Sequence, residues 1–167
     1  MGLLNSLSNK LAKVGSWFAG LGILAMTALI TFETVSRSLF QYSTLIADEV
    51  SGYLLVLTTY FGLAYVAQKD EFIRVSFFYD RIRGKYKRWL NFLIELSALA
   101  FALILTYYSF AFIFKSFILG STSINISRTP LWIPQSCMGV GLLLLDLTLL
   151  IKTIKTYLSI VGGSKEE

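Results

Sequence analysis

Charged residues are absent from four stretches of this chain, residues 15–32, 50–68, 96–114 and 129–145, and crowd into the segments between them. Eighteen helical residues rise about 27 Å, close to the roughly 30 Å hydrocarbon core of a bilayer. The pattern therefore predicts four transmembrane helices over about 15–40, 45–68, 89–117 and 130–151. Only a short turn separates the first two, so they form an antiparallel hairpin, and the last two form a second. Pro130 and Pro134 open the fourth span, where proline is tolerated because the first N–H groups of a helix are unpaired anyway. The fold class expected is an all-α membrane protein.

The flanks add detail. In residues 1–14, Leu3, Leu4, Leu7, Leu11 and Val14 recur at helical spacing with Lys10 and Lys13 among them, which reads as an interfacial lead-in. The apolar run that follows exceeds the h-region of a signal peptide and lacks a small-residue cleavage site, so it is kept as an uncleaved span. Residues 69–88 carry ten charges, seven of them Lys or Arg, interleaved with Phe72, Ile73, Val75, Phe77, Phe78, Tyr79 and Ile82. That alternation suits either an interfacial helix in the central loop or a basic loop touching lipid headgroups. The organisation expected is thus 1–14 lead-in, 15–68 first hairpin, 69–88 basic loop, 89–151 second hairpin and 152–167 tail. Twelve Lys or Arg fall in the two terminal segments and the central loop, against Arg37, Lys115 and Arg128 on the opposite side. By the positive-inside rule both termini are cytoplasmic. Topology accounts for the basic charge, so nucleic acid is not expected as a partner; membrane lipid is.

Composition narrows the chemistry. Of 167 residues, 55% are hydrophobic and 15% charged, the formal net charge is +5, and histidine is missing. Without imidazole, a His-ligated haem anchor, an intramembrane zinc protease and a serine–histidine hydrolase are all excluded. Cys137 stands alone, so no internal disulfide or cysteine metal cage forms. No enzyme, cofactor, metal or catalytic residue is expected.

Ionisable residues within spans are functional candidates by default, and here their depth is informative. Glu33 and Arg37, spaced i and i+4, end the first span, and Asp48 and Glu49 open the second. These four form an expected polar cluster at the outer boundary, which either locks the hairpin or meets a partner. Glu95 and Asp146 sit near the inner boundary, with Lys87, Arg88, Lys152 and Lys155 in reach. Counting places the span centres near Met26, Leu57, Leu103 and Val140, with hydroxyls but no charge beside them. A self-sufficient carrier places an ionisable group or a broken helix at that depth. Neither is found, and the halves show no repeat.

Three stretches resemble the small membrane subunit, the Q or DctQ type, of tripartite ATP-independent periplasmic (TRAP) transporters. They are Glu33-Thr34-Val35-Ser36-Arg37; Ala47-Asp48-Glu49 with Phe61-Gly62-Leu63-Ala64 and Ile73-Arg74-Val75; and Thr129-Pro130-Leu131-Trp132-Ile133-Pro134-Gln135 with Gly139 and Gly141 beyond. Their order and spacing cover nearly the whole chain. The chain departs from the family pattern at Gly52, where a basic residue is common, at Phe72, where His is common, and at Ser76, where an acid is common. The resemblance implies a non-catalytic scaffold in the bacterial inner membrane. It would hold a large (M-type) elevator subunit that imports, with sodium, an organic acid delivered by a periplasmic binding protein. Arg128, Trp132 and Gln135 face the outer side, either as contacts for that binding protein or as helix capping and aromatic anchoring. The competing readings are a stand-alone four-helix scaffold for another partner and a small oligomeric channel.

Overall fold

In lipid, backbone N–H and C=O groups have no water to turn to, so an apolar run closes into a helix that satisfies them internally. The computed structural model describes residues 2–41, 43, 46–69, 85–125 and 127–162. Among them run four helices: α1 Gly2–Phe40, α2 Ala47–Lys69, α3 Lys85–Ile118 and α4 Trp132–Gly162. All four are long and apolar enough to cross a membrane. Of the expected central loop, residues 70–84 with the candidate interfacial helix lie outside the described residues, whereas Lys69 ends α2 and residues 85–88 belong to α3.

The helices stand side by side in the order α1, α2, α4, α3, and α1 makes a lighter contact with α4. Among the described residues, α3 joins the rest essentially through α4. Half of the apolar span of α4 is buried, against 11% in α1 and 17% in each of α2 and α3. The arrangement is an open row with α4 as an inner member, and wide apolar faces remain on α1 and α3.

Local sequence explains the row. On α1 the buried or half-buried positions include Ala12, Gly15, Ala19, Gly22, Met26, Leu29 and Glu33, a stripe stepping by three and four. Apolar helices gain little from burying one apolar surface against another in lipid, so close approach through small residues carries the association. A Cβ added at Gly15 would lie 2.4 Å from the Phe61 carbonyl oxygen, and one at Gly22 would lie 2.4 Å from Thr58 Oγ1. The α2–α4 seam uses Gly141 in the same way against Tyr60. On α3 the inward stripe is Glu95, Leu99, Ala102, Thr106, Ser109, Ile113 and Ser116. A 3–4 alternation of this kind keeps neighbouring helices near-parallel, crossing at about 20°.

Two expectations change. The helix of α1 is continuous from Gly2, so no break sets residues 2–14 apart as a separate lead-in. α4 continues past Ile151 to Gly162, and there Tyr157 meets Phe92, which meets Trp89, with ring centroids 5.8 and 6.1 Å apart. α4 runs on past the end of α2, and the span centres do not line up as counted. Val140 lies between Gly139, which faces Phe110 and Ile113, and Gly141, which faces Tyr60. It is level with that part of α3 and not with Leu103.

Two kinds of end result. The turn end holds Gln41, Ser43, Ile46 and the described residues between α3 and α4; the terminal end holds the start of α1 and the end of α4, and there Gln68 Nε2 donates to Asn9 Oδ1. α3 stops at the turn end in a Schellman cap. Gly120, at φ 57°, supplies the left-handed residue such a cap needs. The Ser121 amide bonds the Ser116 carbonyl at 3.1 Å and the Gly120 amide bonds that of Phe117 at 3.2 Å. Ser121–Ser123 then pair back on Thr129–Leu131, through Ser123 N to Thr129 O at 2.9 Å and Leu131 N to Ser121 O at 3.0 Å. The connection is therefore a narrow ribbon held over the turn end.

Candidate functional site

The four boundary residues divide into two clusters. In the first, Glu33 is buried on α1 and Arg37, one turn on, bonds its Oε1 at 3.1 Å. Ser43 completes a triangle, donating to Glu33 Oε1 at 2.7 Å and accepting from Arg37 at 3.0 Å. The Arg37 side chain is 55% exposed, so the ion pair is half open to its surroundings. Asp48 opens α2 with its side chain exposed. Together with Ile30, Glu33, Thr34, Arg37, Ser38 and Ala47 it lines an open cleft of about 410 Å³. The cleft exists because α1 projects past the start of α2, leaving its last turns uncovered on one side.

The second cluster is built on Glu49, whose carboxylate faces away from the cleft. Tyr53, one turn along α2, donates to Oε1 at 2.5 Å, and Ser127 of the ribbon donates to Oε2 at 2.6 Å. A hydroxyl has one proton to give. Ser127 spends its proton on Glu49, so at the 2.8 Å contact between Ser127 and Thr129 the Thr129 hydroxyl is the donor. The relay Thr129 to Ser127 to Glu49 ties the ribbon of the second hairpin to the first turn of α2. Ser43, Tyr53 and Ser127 are not singled out by the sequence, because hydroxyl residues so far apart along the chain carry no spacing signal; Thr129 is, but only as the start of the proline-containing stretch that opens α4.

The remaining candidates stand apart from both clusters. Arg128 is exposed on the ribbon in a left-handed conformation, φ 45°. Trp132 meets Phe117 edge-on at 5.7 Å and pins the start of α4 to the end of α3. Gln135, one turn further, is half-buried with Oε1 lacking a hydrogen-bond partner. Arg128 and Trp132 are exposed at the turn end; Gln135 lies beneath them.

Asp146, at the middle of the Trp132–Val161 span, and Glu95, nearer the terminal end, are buried between α4 and α3, so one carboxyl lies at the depth that counting along the sequence leaves free of charge. Thr106 donates to Asp146 Oδ2 at 2.7 Å, whereas Asp146 Oδ1 and Glu95 Oε2 lack hydrogen-bond partners. The lysine expected nearby does other work: Lys152 reaches from α4 to the Ala67 carbonyl on α2 at 3.2 Å, closing one of the carbonyls a helix end leaves open. Among the described residues, Glu33, Arg37 and Asp48 share the open cleft at the turn end, whereas Glu49, Asp146 and Lys152 are spent on contacts between elements of the chain.

Residues 26–158 match the family described as tripartite ATP-independent periplasmic transporters, DctQ component. The chain belongs to that family. A relative from Halomonas elongata, the ectoine TRAP transporter small permease protein TeaB, is 25% identical over 145 residues, covering 84% of this chain and 75% of its own length. As a DctQ component, the protein is a multi-pass membrane part of a transporter, and the open row is the form the family sequence takes here. The matched span takes in both clusters, the ribbon and the α3–α4 seam.

Proposed function

We propose that this DctQ component is the small, non-transporting scaffold of a sodium-coupled TRAP importer in the bacterial inner membrane. It holds the large elevator-type subunit, which moves an organic acid delivered by a periplasmic binding protein. The observation that carries the reading is where the polar groups are spent. Among the described residues, side-chain hydrogen bonds tie α3 to α4 through Thr106 and Asp146, α4 to α2 through Lys152 and the Ala67 carbonyl, and the ribbon to α2 through Ser127 and Glu49, while the Glu33–Arg37 ion pair stays within α1. The level of Gly141 and Tyr60 is packed too closely to admit even a methyl group. A row pinned in this way suits a fixed support better than a moving carrier.

With twelve basic residues on the terminal side against three on the other, the turn end faces the periplasm. Asp48 and the half-exposed Arg37 then offer a cleft to the large subunit, while Arg128 and Trp132, with Gln135 behind them, offer a surface to the binding protein. The test is uptake in vesicles reconstituted with all three purified components. Sodium-driven uptake should require the large subunit. If this chain alone drives it, the scaffold reading is wrong. If Arg37→Ala leaves assembly and transport intact, the cleft is not a subunit contact.

A further inference from the structure

The two ends of α1 treat their charges differently. At the turn end the base, Arg37, is spent on Glu33. At the terminal end the first 32 residues contain Lys10 and Lys13 and no acid, and both lysines are exposed. Other lysines at that end are engaged within the chain: Lys69 lies over the Tyr65 ring, 5.9 Å from its centroid, and Lys152 holds the Ala67 carbonyl. Lys10 and Lys13 make no ion pair and no side-chain hydrogen bond among the described residues. Basic groups beside apolar membrane-facing surface attract the anionic headgroups of a bilayer.

Two grooves run down α1 from these lysines. One, of about 380 Å³, lies between the row Lys10, Val14, Phe18 and the row Lys13, Trp17. The other, of about 490 Å³, lies across Trp17 and Leu21, over Ser16 and Gly20, and ends at Ile23 and Leu24. Side chains at i and i+4 form the ridges of a helix, with grooves between them. Here the ridge is Lys13, Trp17 and Leu21, and a groove follows each flank. The wall of the first is fixed, because Phe18 packs on Phe61 of α2 with ring centroids 5.2 Å apart. The floor of the second is apolar and deep: Ser16 turns its hydroxyl back to the Lys13 carbonyl at 2.9 Å, and a Cβ at Gly20 would meet nothing within 4 Å. From Lys13 to Leu24 the helix rises about 16 Å, close to half the roughly 30 Å hydrocarbon core.

Two apolar grooves one leaflet deep, converging on two unpaired ammonium groups, match one two-chain lipid in shape and charge. We propose that the terminal half of α1 is a binding site for an anionic diacyl phospholipid. Lys10 and Lys13 hold its headgroup, and the acyl chains lie on either side of the Trp17–Leu21 ridge. Trp17, 65% exposed, stands at the level where an indole keeps its ring in hydrocarbon and its N–H among polar groups. A free phosphate ester shares the headgroup's charge but has nothing to place in the grooves. The site lies at the opposite end of the molecule from the surfaces assigned to the protein partners, and it does not rest on the scaffold reading.

The test uses the full chain in nanodiscs of equal parts phosphatidylglycerol and phosphatidylcholine, released into native mass spectrometry so that retained lipid is counted by mass. One phosphatidylglycerol should be retained in preference to phosphatidylcholine. Lys10→Gln with Lys13→Gln should lower that preference roughly thirtyfold, from about 1 kcal/mol for each lysine, while Lys10→Arg with Lys13→Arg keeps it and unfolding in detergent is unchanged for both. Gly20→Leu, which fills one groove, should reduce retention of phosphatidylglycerol but not of its single-chain lyso form. Equal retention of the two lipids, an unchanged preference in the glutamine variant, or dimers of the chain in place of retained lipid would overturn the proposal. So would displacement of the lipid by free glycerol phosphate, which would place recognition in the phosphate alone. No arm includes the large subunit, so the scaffold reading stands or falls separately.

Discussion

Replacing Gly141 by alanine puts the architecture to its sharpest test. The new Cβ would lie 2.7 Å from both the carbonyl carbon and the Cβ of Tyr60 and 2.8 Å from its carbonyl oxygen. Two of these atoms are backbone, so no rotamer change relieves the clash. Reaching ordinary contact at 3.4 Å requires α2 and α4 to part by about 0.7 Å, and a gap of that order forfeits a quarter to a half of each dispersion contact along the seam. Overpacking of this kind costs about 1–3 kcal/mol. Alanine returns about 0.4–1 kcal/mol by restricting the unfolded chain, so the net loss expected is about 1–2 kcal/mol. Gly20 sets the baseline, since a Cβ there meets nothing within 4 Å and only the gain of about 0.4–1 kcal/mol applies. Gly139 is intermediate, because its Cβ would meet side-chain ends, Ile113 Cδ1 at 2.9 Å and Phe110 Cζ at 3.4 Å. Unfolding by SDS titration in mixed micelles, followed by tryptophan fluorescence, ranks the three variants. If Gly141→Ala proves as stable as Gly20→Ala, α2 and α4 do not meet at Tyr60 and the row is wrong.

Three further perturbations address the polar groups. Arg37→Ala leaves the buried Glu33 carboxylate with fewer donors and should cost about 1–3 kcal/mol in the same titration, while Glu33→Gln, which keeps an acceptor, should cost less; an Arg37→Ala variant as stable as the unmodified chain would show that the ion pair contributes nothing. Ser127→Ala removes the strongest of the links from the ribbon to Glu49, leaving those of Ser123 and Asn125, so amides of residues 121–131 should exchange hydrogen faster while those of α2 hold, and unchanged exchange would mean the relay does not restrain the ribbon. Thr106→Val strips Asp146 of its bonded donor and should destabilise by about 1–3 kcal/mol, whereas Thr106→Val with Asp146→Leu should regain most of the loss, since an apolar pair of similar shape is nearly neutral; a double variant worse than either single one would refute that account of the seam.

Much of the fold is legible along the chain because its strongest rule is one-dimensional. A charge-free run of bilayer length announces a helix whatever its neighbours are, and Glu33 with Arg37 at i and i+4 announces a pair on one face. Depth is less legible. Counting centres each span on its own charge-free run, but the aromatic contacts of Trp89, Phe92 and Tyr157 lengthen the α3–α4 seam past the end of α2 and shift its register. Partnership is least legible of all. Glu49 follows Asp48 immediately, yet successive helical residues point about 100° apart, and the two acids belong to different surroundings. The partners of Glu49 and Asp146 are hydroxyl residues, which are common enough in any sequence to mark nothing. One signal was readable in advance: Ala12, Gly15, Ala19 and Gly22 already show the 3–4 spacing of a close helix contact.

The order of helices in the row also bears on biogenesis. Each hairpin can close as soon as its own two helices have left the ribosome, since α1–α2 and α3–α4 are neighbours both in sequence and in space. The α2–α4 seam is different: it must wait for the last helix to be inserted and then form by lateral diffusion of one finished hairpin onto the other. Until that moment the membrane holds two half-molecules, with the flat side of Tyr60 and the notch at Gly141 both bare. Quality control by membrane proteases would find its opening at that stage of synthesis.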